Sequence, residues 1–156
     1  MFLINIRLPR SKRLLWAVVA TAAAILVACV IAFAAVPRQP DAATCDEAGS
    51  YSLTVKDDQQ AREFLRQFGV AGDIKKTAEE TVKIPVRFNA VYEEYNRLQQ
   101  RIGLDLHAVS GKTALKTTYR IHSDKADYAV LLLRGGRVVG GHFTSLRYGG
   151  KNLPLA

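Results

Sequence analysis

The run Gly111-Lys112-Thr113 ends like a phosphate-binding loop, and Asp105, His107 and Ser110 just before it are the side-chain types of a hydrolytic triad. A phosphate loop needs G-x-x-x-x-G-K-[ST] between a strand and a helix, because the first glycine permits the tight turn and the helix N-terminus receives the phosphate. Here the first glycine position holds Leu106, a helical pattern comes before the segment and a strand-like pattern comes after it. With the order reversed, Ser110-Gly111 reads as the turn from helix into sheet, and no nucleotide is expected. A triad draws its members from separate segments, and the G-x-S-x-G turn that exposes a nucleophile is missing. His107, His122 and His142 are scattered, with neither an i, i+4 pair nor a cysteine cluster, so no metal site is expected. Glu93-Glu94 lie on the polar face of a helical pattern beside Arg97 and Arg101, where solvated i, i+4 pairing explains them. No catalytic, cofactor-binding or metal-ligating residue is assigned.

The elements around these residues are readable from periodicity. Tyr51–Val55 alternates like a strand. Asp57 with Gln60 resembles a capping box, and Ala61, Phe64, Leu65 and Phe68 then recur at helical spacing up to Gly69. Thr81–Pro85 reads as a short edge strand. Asn89 can cap a second helix whose Val91, Tyr92, Tyr95, Leu98 and Ile102 share one face, with Gly103 as its stop. Tyr92 and Tyr95 are expected in the core. Three strands follow at 112–121, 126–134 and 137–146. Gly135-Gly136 predicts a two-residue hairpin turn, which sets Leu132 opposite Val139, Val130 opposite Gly141 and Tyr128 opposite Phe143. A four-residue loop at 122–125 sets Tyr119 opposite Tyr128 and Leu115 opposite Leu132, and it keeps Lys116 and Arg120 off that apolar face. The expectation is an α+β fold with two helices on one side of a three- to five-stranded antiparallel sheet.

That register leaves a second face carrying Lys112, Lys116 and Arg120 beside Leu131, Leu133, Val138 and His142, with Gly140 leaving a shallow gap. Basic side chains around an apolar strip suit an anionic or amphipathic partner, so these seven residues are the candidate partner-binding set. The competing expectation is that the tail, 147–156, or the first strand covers Leu131 and Leu133.

Upstream lies a different kind of segment. Leu14–Val36 carries no charge, and at about 1.5 Å per residue a helix of that length reaches roughly 35 Å, enough to cross a bilayer core. Arg7, Arg10, Lys12 and Arg13 precede the run, which predicts a cytoplasmic N-terminus and an extracytoplasmic domain. The expected division is a basic segment at 1–13, a transmembrane helix at 14–36, a polar tether at 37–50, the domain at 51–148 and a tail at 149–156. Two other readings compete: a small-residue cleavage site at Ala32-Phe33-Ala34, and Leu26-Val27-Ala28-Cys29 as a lipobox acylated at Cys29. Cys45, in the tether, reads as a lone exposed thiol or a cross-link between copies. Of the 22 basic residues, 18 lie beyond Pro37 against all 14 acidic ones, a mild positive balance. The expected partners are therefore the lipid bilayer through 14–36 and an anionic envelope polymer or another membrane protein, without nucleic acid or cofactor.

Ile84-Pro85, Phe88, Val91-Tyr92, Tyr95-Asn96, Leu98-Gln99, Gly103, Asp105-Leu106, Gly111-Lys112, Tyr119 and Val139-Gly140-Gly141 together resemble a bacterial family, domain of unknown function 4830, over most of 51–146. The sequence departs from the family pattern at Val109, where an aromatic is commoner, and at His142, where an acid is. The resemblance carries no activity, cofactor or catalytic residue. It implies a small membrane-attached or secreted envelope protein. Because a tethered domain without catalytic groups still has faces to present, the expected function is a binding or accessory module, with an envelope hydrolase or transferase as the alternative.

Overall fold

The computed structural model describes Val19 and residues 21–28, 41–46, 48–123, 126–145 and 150–155. The chain divides into two compact units, 1–39 and 40–156. In the first, Val19 and residues 21–28 are helical and exposed. No helix among the described residues is long and apolar enough to cross a membrane, and most of the run 14–36, with Cys29, lies outside them.

The second unit opens with a hairpin of β1 (Ala42–Cys45) and β2 (Gly49–Ser52). Helix α1 (Asp58–Gln67) follows, begun by Asp57, whose carboxylate accepts from Gln60 N. Strand β3 (Lys75–Lys83), helix α2 (Ala90–Gln100) and a short 3-10 turn (Leu106–Val109) lead to β4 (Thr113–Arg120), β5 (Tyr128–Leu133), β6 (Val138–Thr144) and β7 (Asn152–Leu153). Strands β3 to β7 form one antiparallel sheet in sequence order. The fold is α+β, with the five strands at the upper end of the expected range.

Two expectations about the sheet are corrected. The Gly135-Gly136 turn forms as read, with both glycines at positive φ and Arg134 and Arg137 exchanging backbone hydrogen bonds. A bulge at Leu132/Leu133 then shifts the ladder by one residue. Leu132 lies opposite Gly140, Val130 opposite His142 and Tyr128 opposite Thr144. On the other side of β5, Ile121 N donates to Asp127 O, so the loop is one residue longer than expected; Tyr119 pairs with Ala129 and Leu115 with Leu133. The register rejected on sequence grounds is the one adopted. A sheet with a single apolar face would disfavour it, but both faces of this sheet carry a core.

The helices accordingly sit on opposite faces. Ala61, Phe64 and Leu65 of α1 join Tyr119, Ala129, Leu131 and Phe143 in the main core, together with Tyr51, Leu53 and Val55. On the other face Ile84, Leu106, Val109, Ala114, Leu132 and Val139 form a smaller core, with Tyr95 of α2 packed against it. Residues 42–45, within the segment read as a tether, make a strand. Cys45 is buried and its sulfur accepts from Ala48 N at 3.3 Å, so it is not the exposed thiol expected. The tail also folds back: β7 pairs with β6, and Leu155 is buried in the main core.

Candidate functional site

Helix α2 turns two of its polar residues inward. Asn96 and Gln99 are its buried positions, while Val91 is 73% exposed and Tyr92, Tyr95 and Leu98 are only half-buried. The cause is hydrogen bonding. Asn96 Oδ1 accepts from Leu106 N at 2.7 Å and its Nδ2 donates to Asp105 Oδ1 at 2.8 Å, tying the helix to the 3-10 turn. Gln99 Oε1 accepts from Gly141 N at 2.7 Å, a strand amide that β7 does not reach. Buried backbone donors need partners, and these two side chains supply them. A Cβ on Gly140 would lie 3.2 Å from Gln99 Oε1, Leu106 and Leu132, so the absence of a side chain there is what lets α2 approach.

With its polar face committed, the helix leaves its apolar stripe over open space. A cleft of about 580 Å³ lies between Val91, Tyr92, Tyr95 and Leu98 of α2 and a sheet face of Val82, Val130 and Leu132, with Ile84 and Leu106 also lining it. That volume and lining suit a small apolar or amphipathic ligand.

Its polar groups are few. The Tyr95 hydroxyl lies 2.8 Å from His142 Nδ1, with the rings edge to face. Burial, followed by the charge of Lys116, pushes the His142 pKa down to about 4, so the imidazole is neutral at physiological pH. Burial also pushes the Tyr95 phenol well above its ordinary range. An uncharged imidazole with so low a pKa is a poor proton acceptor, and among the described residues no serine, threonine or cysteine lines the cleft. Around the rim stand Lys83, Lys116 and Lys151 against Glu94. Lys116 Nζ is held by Glu80 at 2.7 Å.

Of the seven residues of the candidate partner-binding set, the structure brings Lys116 and His142 together in this cleft. Leu131 and Val138 are buried in the main core on the opposite face, and Leu133 packs against it. Lys112 and Arg120 are exposed at opposite ends of β4. The tail covers part of this ground: a Cβ on Gly141, Leu131's partner across the sheet, would lie 2.8 Å from Leu155.

The triad-like residues serve local structure. Asp105 caps the 3-10 turn, its Oδ1 accepting from the His107 backbone amide at 2.9 Å, and the hydrogen bonds from Asn96 and His107 hold its pKa below the usual range. The His107 ring stacks on Phe88 and lies 3.3 Å from Glu93. Ser110, Gly111 and Lys112 donate their amides to His107, Ile84 and Val109 carbonyls, leaving none of the three directed at a phosphate. His122 is exposed, and among the described residues no three His, Cys, Asp or Glu side chains cluster. Sequence reasoning missed Tyr92, Tyr95 and Leu98 as cleft residues because helical spacing alone does not distinguish core from cleft. The available signal was Asn96 and Gln99, polar residues three apart beside that stripe.

The family model for domain of unknown function 4830 matches residues 64–143, from the middle of α1 to β6, a span that holds every cleft-lining residue except Lys151 and Asn152. No curated protein and no solved structure matches the chain.

Proposed function

From the premise that the chain belongs to the domain of unknown function 4830 family, we propose that it is a membrane-anchored binding module of the cell envelope whose ligand seat is the cleft under α2. One observation carries the reading: the apolar stripe of α2 faces a cleft of about 580 Å³ while Asn96 and Gln99 take the buried positions. A helix ordinarily buries its apolar stripe, so leaving it open forgoes stability unless another molecule fills the space. Attachment through 14–36, with the domain outside the membrane, is supported by that run's length and by the basic residues before it.

The test uses the intact chain. Membranes washed at high salt should retain it at its uncleaved mass, and native mass spectrometry after detergent extraction should show a co-purifying adduct. Leu98→Trp, which puts bulk into the cleft from a half-buried position, should fold normally and lose that adduct. Release by salt, or an adduct unchanged by the substitution, would refute the reading.

A further inference from the structure

The walls and rim of the cleft together specify what enters it. The interior is apolar, and the sheet backbone under it at Val130 and Leu132 is already bonded, because β5 is paired on both sides. A peptide would bring amides and carbonyls that need partners there; an acyl chain brings none. Tyr95 and His142, polar groups of the lining, are mutually bonded and uncharged. The unpaired positive charge is at the exposed rim. Lys83 and Lys151 are exposed on the rim and have no ion-pair partner among the described residues, whereas Lys116 is paired with Glu80, and Glu94 is the one acidic residue in the described lining.

Apolar surface also continues outward beside this rim. Val91, a wall residue, is 73% exposed, and Val86, two residues from the wall residue Ile84, is 71% exposed. Exposed Arg87 adjoins Val86, and exposed Lys112 is joined to Ile84 through its carbonyl, 2.9 Å from Ile84 N. Apolar knobs set among cations are what a protein presents to an anionic bilayer surface.

We propose that the cleft takes an acyl chain of an anionic phospholipid drawn from the bilayer, with the chain against the α2 stripe and the headgroup at Lys83 and Lys151. This rests on the cleft being a ligand seat and names the class of ligand. The experiment places the intact chain in nanodiscs containing either phosphatidylglycerol or phosphatidylcholine with a diazirine on one acyl chain, and maps the photolabelled residues. Phosphatidylglycerol should label residues 91–98 and 130–132, several-fold more than phosphatidylcholine does. Replacing Lys83 and Lys151 by glutamine, both at exposed positions, should lower that labelling by roughly fivefold per lysine. Labelling confined to 14–36, equal labelling by the two lipids, or a double variant that labels like the parent would each overturn the proposal. A Leu98→Trp-sensitive adduct of non-lipid mass would overturn it too, while leaving the cleft as a ligand seat.

Discussion

His142 links the chemistry of single residues to stability. In the folded chain its pKa is pushed down to about 4, against an ordinary value of about 6.5. As pH falls below about 6.5, the unfolded chain takes up a proton that the folded chain does not accept until about pH 4, so stability is lost across that window. The shift corresponds to a loss on the order of 3 kcal/mol. Urea denaturation of the parent and of His142→Gln should therefore diverge between pH 6.5 and 4, with the variant flatter; parallel curves would mean that the imidazole is not held neutral by burial. Asp105 acts lower on the scale, since its carboxylate is favoured by Asn96 and His107 and its contribution disappears only as pH falls through its depressed pKa. None of this was legible from His142 in the sequence. Its neighbours in space are Tyr95, from another element, and Lys116, whose position depended on a register that the local pattern favoured wrongly.

At the scale of elements, the sequence was informative wherever one local interaction decides the outcome. Asp57 and Asn89 cap the two helices as read, accepting from Gln60 N at 2.8 Å and Tyr92 N at 2.9 Å. The glycine pair makes its turn. The sheet register was not legible, because it depends on a bulge at Leu132/Leu133 and on the length of one loop, and an apolar pattern on both faces of β5 accepts either alignment. Helix placement was lost with it: the stripe of α2 was expected to be core, yet the helix is fastened by Asn96 and Gln99. That fastening predicts an order of costs. Gln99→Leu leaves the buried Gly141 amide without its acceptor and should cost about 1–3 kcal/mol, whereas Asn89→Ala, at an exposed cap, should cost about 1 kcal/mol. Denaturant midpoints with unchanged slopes would measure both, and a Gln99→Leu variant as stable as the parent would show that α2 is held by its apolar contacts instead.

For the unit spanning 40–156, the two ends of the segment complete the core that the middle leaves unfinished. The first hairpin brings Tyr51, whose hydroxyl donates to Ile102 O at the end of α2, and Arg137 binds Asp41 at 2.6 Å beside the hairpin's start. Gly103, at φ +72°, ends that helical segment where a Cβ would lie 2.6 Å from Thr44 O, so the turn and β1 are built against each other. From the other end, β7 pairs at Phe143 and Thr144, and Leu155 reaches the main core with 1% of its surface exposed. Such closure is invisible to periodicity, since 152–155 and 42–45 are each only four residues long, too short to carry a period. It has a measurable consequence. Leu155→Ala removes a fully buried leucine side chain and should cost about 2–3 kcal/mol, lowering the thermal midpoint by on the order of 10 °C, while Leu153→Ala, at a half-buried position, should cost less. A chain stopped after Gly150 should lose at least as much as Leu155→Ala, because Phe143 and Leu131 lose the same cover. If differential scanning calorimetry finds that truncated chain as stable as the parent, the tail is an ornament on the sheet and the core is complete without it.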